Sequence, residues 1–452
     1  MHILVINGSP KGPYSVTLQT VEYLRIKFPE HQFDVLNAAQ RIRGLKKDFA
    51  PAKAALEQCD AVLFSYPVYT FMAPSQLHEF IALMKQENVQ LAGKFVSQIT
   101  TSKHFYDVTA HRYVQDNVQD MGMKYVHGLS ADMDDLTKAE GRRDAEDFFR
   151  HFVWCAKNDV FESVQRGQAP VPSVLASLPE KEKEAVKGDV VIVTDAGEED
   201  VSLCRMIDRF RAVLGRKTRL INLRDFAFAG GCLGCFKCAV SGKCVHRDGF
   251  DNFLRREIQQ AEATVYAFTV RDHSMGPLFK TYDDRQFCNG HRTVTMGMPY
   301  GYLVSGPYAG EYNLRQVVES RAQVGGNVLC GVATDEWDPD TQIDRMAAEM
   351  NYALDNKYVP PRNFLGVGGM KVFRDLIWLM QGMMKADHKF YKAHGQYDFP
   401  QKQWPTMLKM YLVGALISSP KIMSKAGNAM NEGMIAPYKK VLEQAKKETE
   451  SK

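Results

Sequence analysis

The chain has 452 residues, 45% of them apolar and 24% charged, with 57 basic against 53 acidic side chains and a formal net charge of +4. This length exceeds one ordinary core and predicts two or three domains, while the apolar fraction excludes a disordered chain. Near-balanced charge gives no ground for a nucleic-acid or membrane-surface partner.

The opening Met1-His2-Ile3-Leu4-Val5-Ile6-Asn7-Gly8 reads as a buried strand, without the basic flank and apolar core of a signal peptide. The best apolar candidate for a span, Met407 to Ser418, is interrupted by Lys409 and followed by Pro420, well short of the roughly 20 residues a bilayer needs. The expectation is a cytoplasmic protein in a reducing compartment, where thiols ligate rather than bridge.

His2 to Asn7 is an apolar run bounded by Gly8-Ser9-Pro10, and apolar residues fall at helical spacing from Val16 to Phe28. Strand, small-residue loop and helix is how a doubly wound α/β sheet begins. The loop Gly8 to Thr17 lacks both the Walker ending and the dinucleotide Gly-x-Gly-x-x-Gly spacing. It offers Ser9, Ser15 and Thr17 hydroxyls and Lys11 at a helix N-terminus, where free N–H groups favour an anion such as a phosphate monoester. The alternative, an N-cap by Ser15 beside an incidental lysine, fits the same residues.

Gln32 to Ala38 reads as a second strand and Asp60 to Tyr66 as a third. After the third come Pro67-Val68-Tyr69-Thr70-Phe71-Met72-Ala73-Pro74 and a helix through Met84. Two prolines and three aromatics counted from Tyr66 onward make a poor solvent-facing connection, but at the carboxyl end of a central strand they suit a flat ring system. Phe95 to Thr100 and Tyr125 to Gly128 read as fourth and fifth strands, and Glu140 to Val164 as a closing helix, a flavodoxin-like β-α order.

Gln165 to Gly188, with three prolines and the run Glu180 to Glu184, reads as a linker. The pattern then repeats: Gln58 to Phe64 matches Gln260 to Tyr266 at 260 − 58 = 202, and Gly128 to Asp132 matches Gly331 to Asp335 at 331 − 128 = 203. Two copies of one fold are expected in tandem, the second strand of the second copy running from Arg219 to Phe228. Where the first copy has Ser9-Pro10-Lys11, the second has four carboxylates between Asp195 and Asp200, which oppose a phosphate.

The second copy instead carries Cys232, Cys235, Cys238 and Cys244, four of the chain's nine cysteines. Two successive two-residue gaps let three sulfurs converge from one turning loop, and the fourth returns after a glycine-containing excursion. That spacing suits a cubane iron–sulfur centre and resembles the compressed cysteine runs of ferredoxins. Zinc, which more often uses two separated knuckles, a disulfide loop and buried thiols are the alternatives. The intervening glycines allow backbone N–H groups close to the sulfurs.

At these residues the chain resembles the NADPH-dependent FMN reductase-like flavodoxin-fold family and, within it, the iron–sulfur flavoproteins. The Gly8 to Thr17 loop looks like that family's FMN-phosphate loop, with Val16 where an asparagine is usual. Pro67, Val68, Tyr69, Phe71 and Met72 are similar to the segment that wraps the isoalloxazine ring, and Thr100 and Thr101 fall near its pyrimidine edge. The four cysteines match the pattern that holds a 4Fe–4S cluster in those relatives.

The resemblance implies FMN on a first flavodoxin-like domain (1–164), a linker (165–188), a cluster on a second (189–355), and a helical C-terminal extension (356–452). The two copies are expected to face each other as an intrachain pseudo-dimer. The implied activity is NAD(P)H-dependent flavin oxidoreduction, passing electrons to the cluster or to a small-molecule or protein acceptor. A non-enzymatic flavin and iron–sulfur electron carrier and a zinc-stapled flavin reductase are the alternatives. In the extension, Met370 to Lys385 reads as a helix packing across the two domains, with a substrate lid as the alternative, and Asp387-His388-Lys389 with His394 as a solvated helix end, with a metal or acid–base group as the alternative.

Overall fold

Alternating side chains along the first strand set the layers. Leu4 and Ile6 enter one apolar core with Phe64, Leu77 and Phe80, whereas Ile3 and Val5 enter another with Leu18, Leu24 and Phe149. A strand buried on both faces needs helices on both sides, which is the parallel α/β solution. A computed structural model describes residues 1–102, 106–162, 172–185, 187–359, 364–399 and 403–417.

The first half forms β1 (His2–Asn7), β2 (Gln32–Leu36), β3 (Ala61–Pro67), β4 (Phe95–Ser102), β5 (Lys124–Tyr125) and β6 (Leu129–Asp132). Their order is β2-β1-β3-β4-β5, with β6 also on β4, and every pair is parallel. The second half forms β7 (Lys187–Thr194), β8 (Arg216–Asn222), β9 (Ala263–Thr269), β10 (Pro299–Ser305) and β11 (Val328–Thr334). Read from its other edge this sheet is β8-β7-β9-β10-β11. Both sheets therefore have the 2-1-3-4-5 order of flavodoxin-like folds, with crossover helices between strands.

Several boundaries differ from the expectation. β2 stops at Leu36 because Asn37 turns to accept a hydrogen bond from Asn7 Nδ2 at 2.8 Å, and a helix, Ala38–Leu45, follows at once. The fifth strand is two short pieces, since Gly128 lies hard against Gln98 where a Cβ would overlap. β8 ends at Asn222, whose side chain accepts from Arg224 N, so Phe226 and Phe228 lie beyond the strand. The closing helix of the first half spans Ala139–Asn158 and ends on Asp159 in left-handed backbone at φ 56°, so residues 159–162, expected in the helix, lie beyond it, and 163 and 164 fall outside the described residues.

Within the expected linker, residues 163–171 and 186 also lie outside the described set. Residues 172–185 contain no helix or strand but are seated on the second half, Val174 N bonding Asp335 O at 2.7 Å and Arg209 Nη1 bonding Ser177 O at 2.7 Å.

The halves meet through equivalent elements. Helix Ser75–Gln86 lies against Gly276–Arg285, and helix Val108–Asp120 against Tyr312–Gly325. After β3 and after β9 stands the same tight turn, with Thr70 and Phe71 at φ 44° and 74° in one and Asp272 and His273 at φ 51° and 58° in the other. Each turn carbonyl is bonded across the interface: Asn117 Nδ2 donates to Asp272 O at 3.1 Å, and Arg321 Nη2 donates to Thr70 O at 2.9 Å. The two bonds are reciprocal, each half donating once to the turn of the other.

The expected helix from Met370 appears as Phe364–Leu379, followed by Lys385–Ala393. Both belong to the compact unit Met1–Ala393 that contains the two sheets. The remaining unit, His394–Lys452, contains the described helix Trp404–Ile417, and no described helix is long and apolar enough to cross a membrane.

Candidate functional site

The carboxyl ends of β1, β3 and β4 open together where the strand order reverses, the place at which doubly wound sheets bind ligands. From β1 comes the Ser9 to Thr17 loop. Asn7 ties it down, Nδ2 donating to Gly12 O at 2.9 Å while Oδ1 accepts Ser9 N at 3.1 Å. Gly12 takes φ 56° beside Gln40, where a Cβ has no room. Ser9, Ser15 and Thr17 are buried yet line a cavity of about 230 Å³, together with Lys11 and Val16. Ser15 also accepts Leu18 N at 3.4 Å, so capping the helix and facing the cavity are compatible roles for one side chain.

Pro67, Val68, Tyr69 and Thr101 line the same cavity. Thr17 and Thr101 hydroxyls are 2.6 Å apart, joining the anion loop to β4. Thr100 points to the opposite face of the strand, where its hydroxyl meets His111 Nε2 at 2.7 Å and Asp107 at 3.2 Å. Burial lowers the His111 pKa to about 4, leaving a neutral ring for that bond. Phe71 and Met72 also leave the cavity: the left-handed turn drives them into the core of the second half, where each is 2% exposed.

The opposite wall comes from the second half. Cys232, Cys235, Cys238 and Cys244 all line this cavity. Their loop is docked on the first half: Gln76 Nε2 donates to Cys232 O at 3.2 Å, and Gly234 sits so close to the Tyr69 hydroxyl that a Cβ would overlap it. A buried pair fixes the loop from behind, Arg285 donating to both oxygens of Asp248 at 2.7 Å and to Gly230 O at 2.8 Å. Lys11 Nζ stands 5.6 Å from the ring of Phe236, so the anion loop reaches the cysteine loop directly.

All nine cysteines are unbridged. Among the described residues no three His, Cys, Asp or Glu side chains converge tightly enough to hold a single metal ion. Burial pushes the Cys232 and Cys238 thiols up from the ordinary thiol value. Gly234 N lies 3.5 Å from Cys232 Sγ, and Gly234, Phe236 and Gly242 take positive φ, which turns the backbone about the sulfurs. Four thiols on one wall with a backbone donor nearby fit a multi-iron cluster, whose ligands stand farther apart than those of one ion.

Sequence reasoning missed four contributors. Cys288 lines the cavity as a fifth thiol, its pKa pushed up to about 12 by burial, and Phe287 and His291 accompany it from the same segment. Val372, Phe373 and Leu376 of helix Phe364–Leu379 close another side. Asp387, expected in solvent, is fully buried against His291 and Arg292. Asn7 anchors the anion loop. Local spacing carries no signal for the first three, which arrive from distant segments; Asn7, at the end of β1, was within reach of a capping argument.

A family model described as NADPH-dependent FMN reductase matches residues 1–131. That segment, the first 131 of 452 residues, is what the chain shares with the family. The match covers β1 to β5 and thus the Ser9 to Thr17 loop, Pro67 to Tyr69 and Thr101. The chain is also similar to an iron–sulfur flavoprotein of Archaeoglobus fulgidus, 28% identical over 177 residues, covering 36% of this chain and 78% of that protein. Among solved structures it is similar to general stress protein 14 of Treponema denticola in complex with FMN, at 16% identity and a TM-score of 0.28, covering 34% of this chain and 98% of that one. It is likewise similar to the NAD(P)H:acceptor oxidoreductase FerB of Paracoccus denitrificans, at 17% identity and a TM-score of 0.29, covering 35% and 97%.

Proposed function

We propose that this FMN reductase-like chain is an NAD(P)H-dependent oxidoreductase holding FMN on its first half and a 4Fe–4S cluster on its second, and delivering electrons to a small-molecule or protein acceptor. The observation that carries the reading is the single cavity shared by the anion loop, the Pro67–Tyr69 segment and the four cysteines. Ser9, Lys11, Ser15 and Thr17 would hold the phosphate, and Pro67 to Tyr69 would lie against the ring, with Thr101 at its edge. Cys232, Cys235, Cys238 and Cys244 would hold the cluster. Flavin exchanges two electrons with nicotinamide and single electrons with iron–sulfur, which is the chemistry the pair supplies when bound. The protein's part is to seat, orient and exclude water.

The second half supports this division, because its own first loop is closed to phosphate. Arg271 donates to both oxygens of Asp200 at 2.8 and 2.9 Å, and Arg224 to Glu199 at 2.8 Å, so the carboxylates there have their cations already. Asp195, pushed by burial to a pKa of about 6 although Arg271 opposes the shift, adds further negative charge. We read the two halves as a duplicated unit, fused into a pseudo-dimer in which each copy kept one centre. Unbridged thiols suit a reducing cytoplasmic setting.

The test is spectroscopic. Anaerobically purified protein should show flavin and iron–sulfur bands, contain about four iron and four sulfide per chain, and lose its flavin absorbance on adding NADPH or NADH. Zinc without iron overturns the cluster. A flavin bleached by reduced ferredoxin but by neither nicotinamide overturns the reductase and leaves an electron carrier.

A further inference from the structure

The chain's net charge lies in one place. The unit His394–Lys452 holds nine lysines against five acidic side chains, 9 − 5 = +4, which is the formal net charge of the whole sequence. The other residues are therefore balanced, 48 basic against 48 acidic. From residue 399 to residue 431 there are four lysines and no acid. The helix Trp404–Ile417 falls inside that stretch, with Lys409 as its one charged residue and ten apolar residues among its fourteen.

This helix stands open to solvent. Trp404, Leu408, Tyr411 and Leu412 recur at i, i+4, i+7 and i+8, one face of an α-helix, and are 70%, 64%, 76% and 63% exposed. Around the rest of its circumference Met407, Met410 and Val413 are 37%, 52% and 39% exposed. A helix so apolar on every side belongs in a core or in lipid, and a contiguous exposed apolar surface marks a docking site.

Charge decides between the occupants. An apolar groove of this chain asks for no net charge, and a second copy brings the same +4 and repels it. Anionic headgroups attract it, each lysine near such a surface strengthening binding about five-fold. Lys402 precedes the helix by two residues and Lys421 follows it by four, so chain length alone keeps each within about 15 Å of an end. Trp404 and Tyr411 are the aromatic types that settle at headgroup level, and the long stem of Lys409 lets its ammonium reach phosphates from a half-immersed helix. Fourteen residues rise about 21 Å, short of the roughly 30 Å of a hydrocarbon core, so this helix enters one leaflet and does not cross.

We propose that the helix Trp404–Ile417 seats this protein on an anionic lipid surface, with the Trp404, Leu408, Tyr411 and Leu412 face immersed in one leaflet and Lys409 among the headgroups. The proposal needs neither flavin nor cluster and stands apart from the redox reading.

The test uses the full chain and vesicles of phosphatidylcholine, alone or mixed with phosphatidylglycerol. In density gradients the protein should float with the mixed vesicles, bind phosphatidylcholine alone about ten-fold more weakly or less, and bind the mixture less as salt is raised. Leu408→Glu should weaken binding to the mixture by at least about ten-fold. Lys409→Glu, which keeps the apolar face, should weaken it by roughly 25-fold. Both positions are exposed, and unchanged circular dichroism checks that each variant folds. Brominated acyl chains should quench tryptophan emission in the unaltered protein more than in Trp404→Phe. Equal binding to the two vesicle types, undiminished binding of Leu408→Glu, or no binding to either vesicle overturns the proposal. Without vesicle binding, a dimer split by Leu408→Glu assigns the face to a second copy, and a monomer assigns it to the chain itself.

Discussion

Lys11 is the one full positive charge in the anion loop, and its ammonium lies over Phe236 rather than in an ion pair within the described set. A charge-assisted hydrogen bond to phosphate is worth about 1.5–3 kcal/mol. Lys11→Ala should therefore weaken FMN binding by roughly 10- to 100-fold, read from quenching of flavin fluorescence on titrating apoprotein. Gly234 makes a steric rather than an electrostatic claim. At φ 59° and against the Tyr69 hydroxyl, it has room for no side chain. Gly234→Ala should displace the cysteine loop from Tyr69 and lower iron content more than flavin content, both measurable on the purified variant. At this scale the sequence was partly legible. Residue types at strand ends marked the Ser9 to Thr17 loop that lines the cavity, but Thr100 and Thr101 differ only in which face of β4 they occupy, and a register of one residue separates a cavity wall from a buried bond to His111. Phe71 and Met72 were nominated by aromatic and apolar character, which serves a core as well as it serves a cofactor.

The interface helices carry charges that bury only because they are paired. Lys280 is fully buried between Asp283, at 3.1 Å, and Asp284, while Arg321 donates to Asp283 at 2.6 and 2.9 Å and Ser75 N donates to Asp284 at 2.6 Å. Removing one partner strands the others, a loss of about 3–5 kcal/mol. Lys280→Met should lower the unfolding free energy by that amount in urea titrations, whereas a neutral result would mean that water reaches Asp284. A second cross-interface group is His273, which meets Asp120 at 2.9 Å and Glu311 at 2.9 Å. Burial alone would lower its pKa, but those two carboxylates raise it to about 10. A proton held more tightly in the folded state stabilises fully below the unfolded value, near 6.5, and that gain fades as pH rises through about 10. The melting temperature of the unaltered protein should thus exceed that of His273→Gln at pH 6, and the gap should close by about pH 10.5. A gap constant with pH would assign His273 a purely steric role. Lys280 with Asp283 and Asp284 follows i,i+3 and i,i+4 helical spacing, but the bonds of Ser75 N to Asp284 and of His273 to Asp120 join positions 209 and 153 apart and do not show in local spacing.

For the whole molecule, the repeat offset of 202 read from Gln58 and Gln260 recurs in space at the turns: Thr70 and Asp272 stand at 272 − 70 = 202. Fold class was legible because parallel strands buried on both faces write apolar runs into the sequence, and the two sheets share one strand order. The closure of the cavity by Phe373 and the burial of Asp387 were not, since an amphipathic helix does not state which surface it will cover.

What holds the halves together has a direct consequence. If equivalent helices pair across the interface as in a dimer, covalent connection is dispensable once the protein has folded. The run Glu180 to Glu184 is exposed, and its lysines are open to a trypsin-like protease, although Lys183 N bonds Ala212 O at 2.9 Å. Limited cleavage there should leave two fragments that coelute at the intact mass, keep both chromophores, and part only in denaturant. The reciprocal bonds from Asn117 and Arg321, the buried Lys280 cluster and the shared cavity all lie away from the cut. Fragments that separate in native buffer would show that the connection, and not the helix pairs, keeps the Ser9 to Thr17 loop against the cysteines.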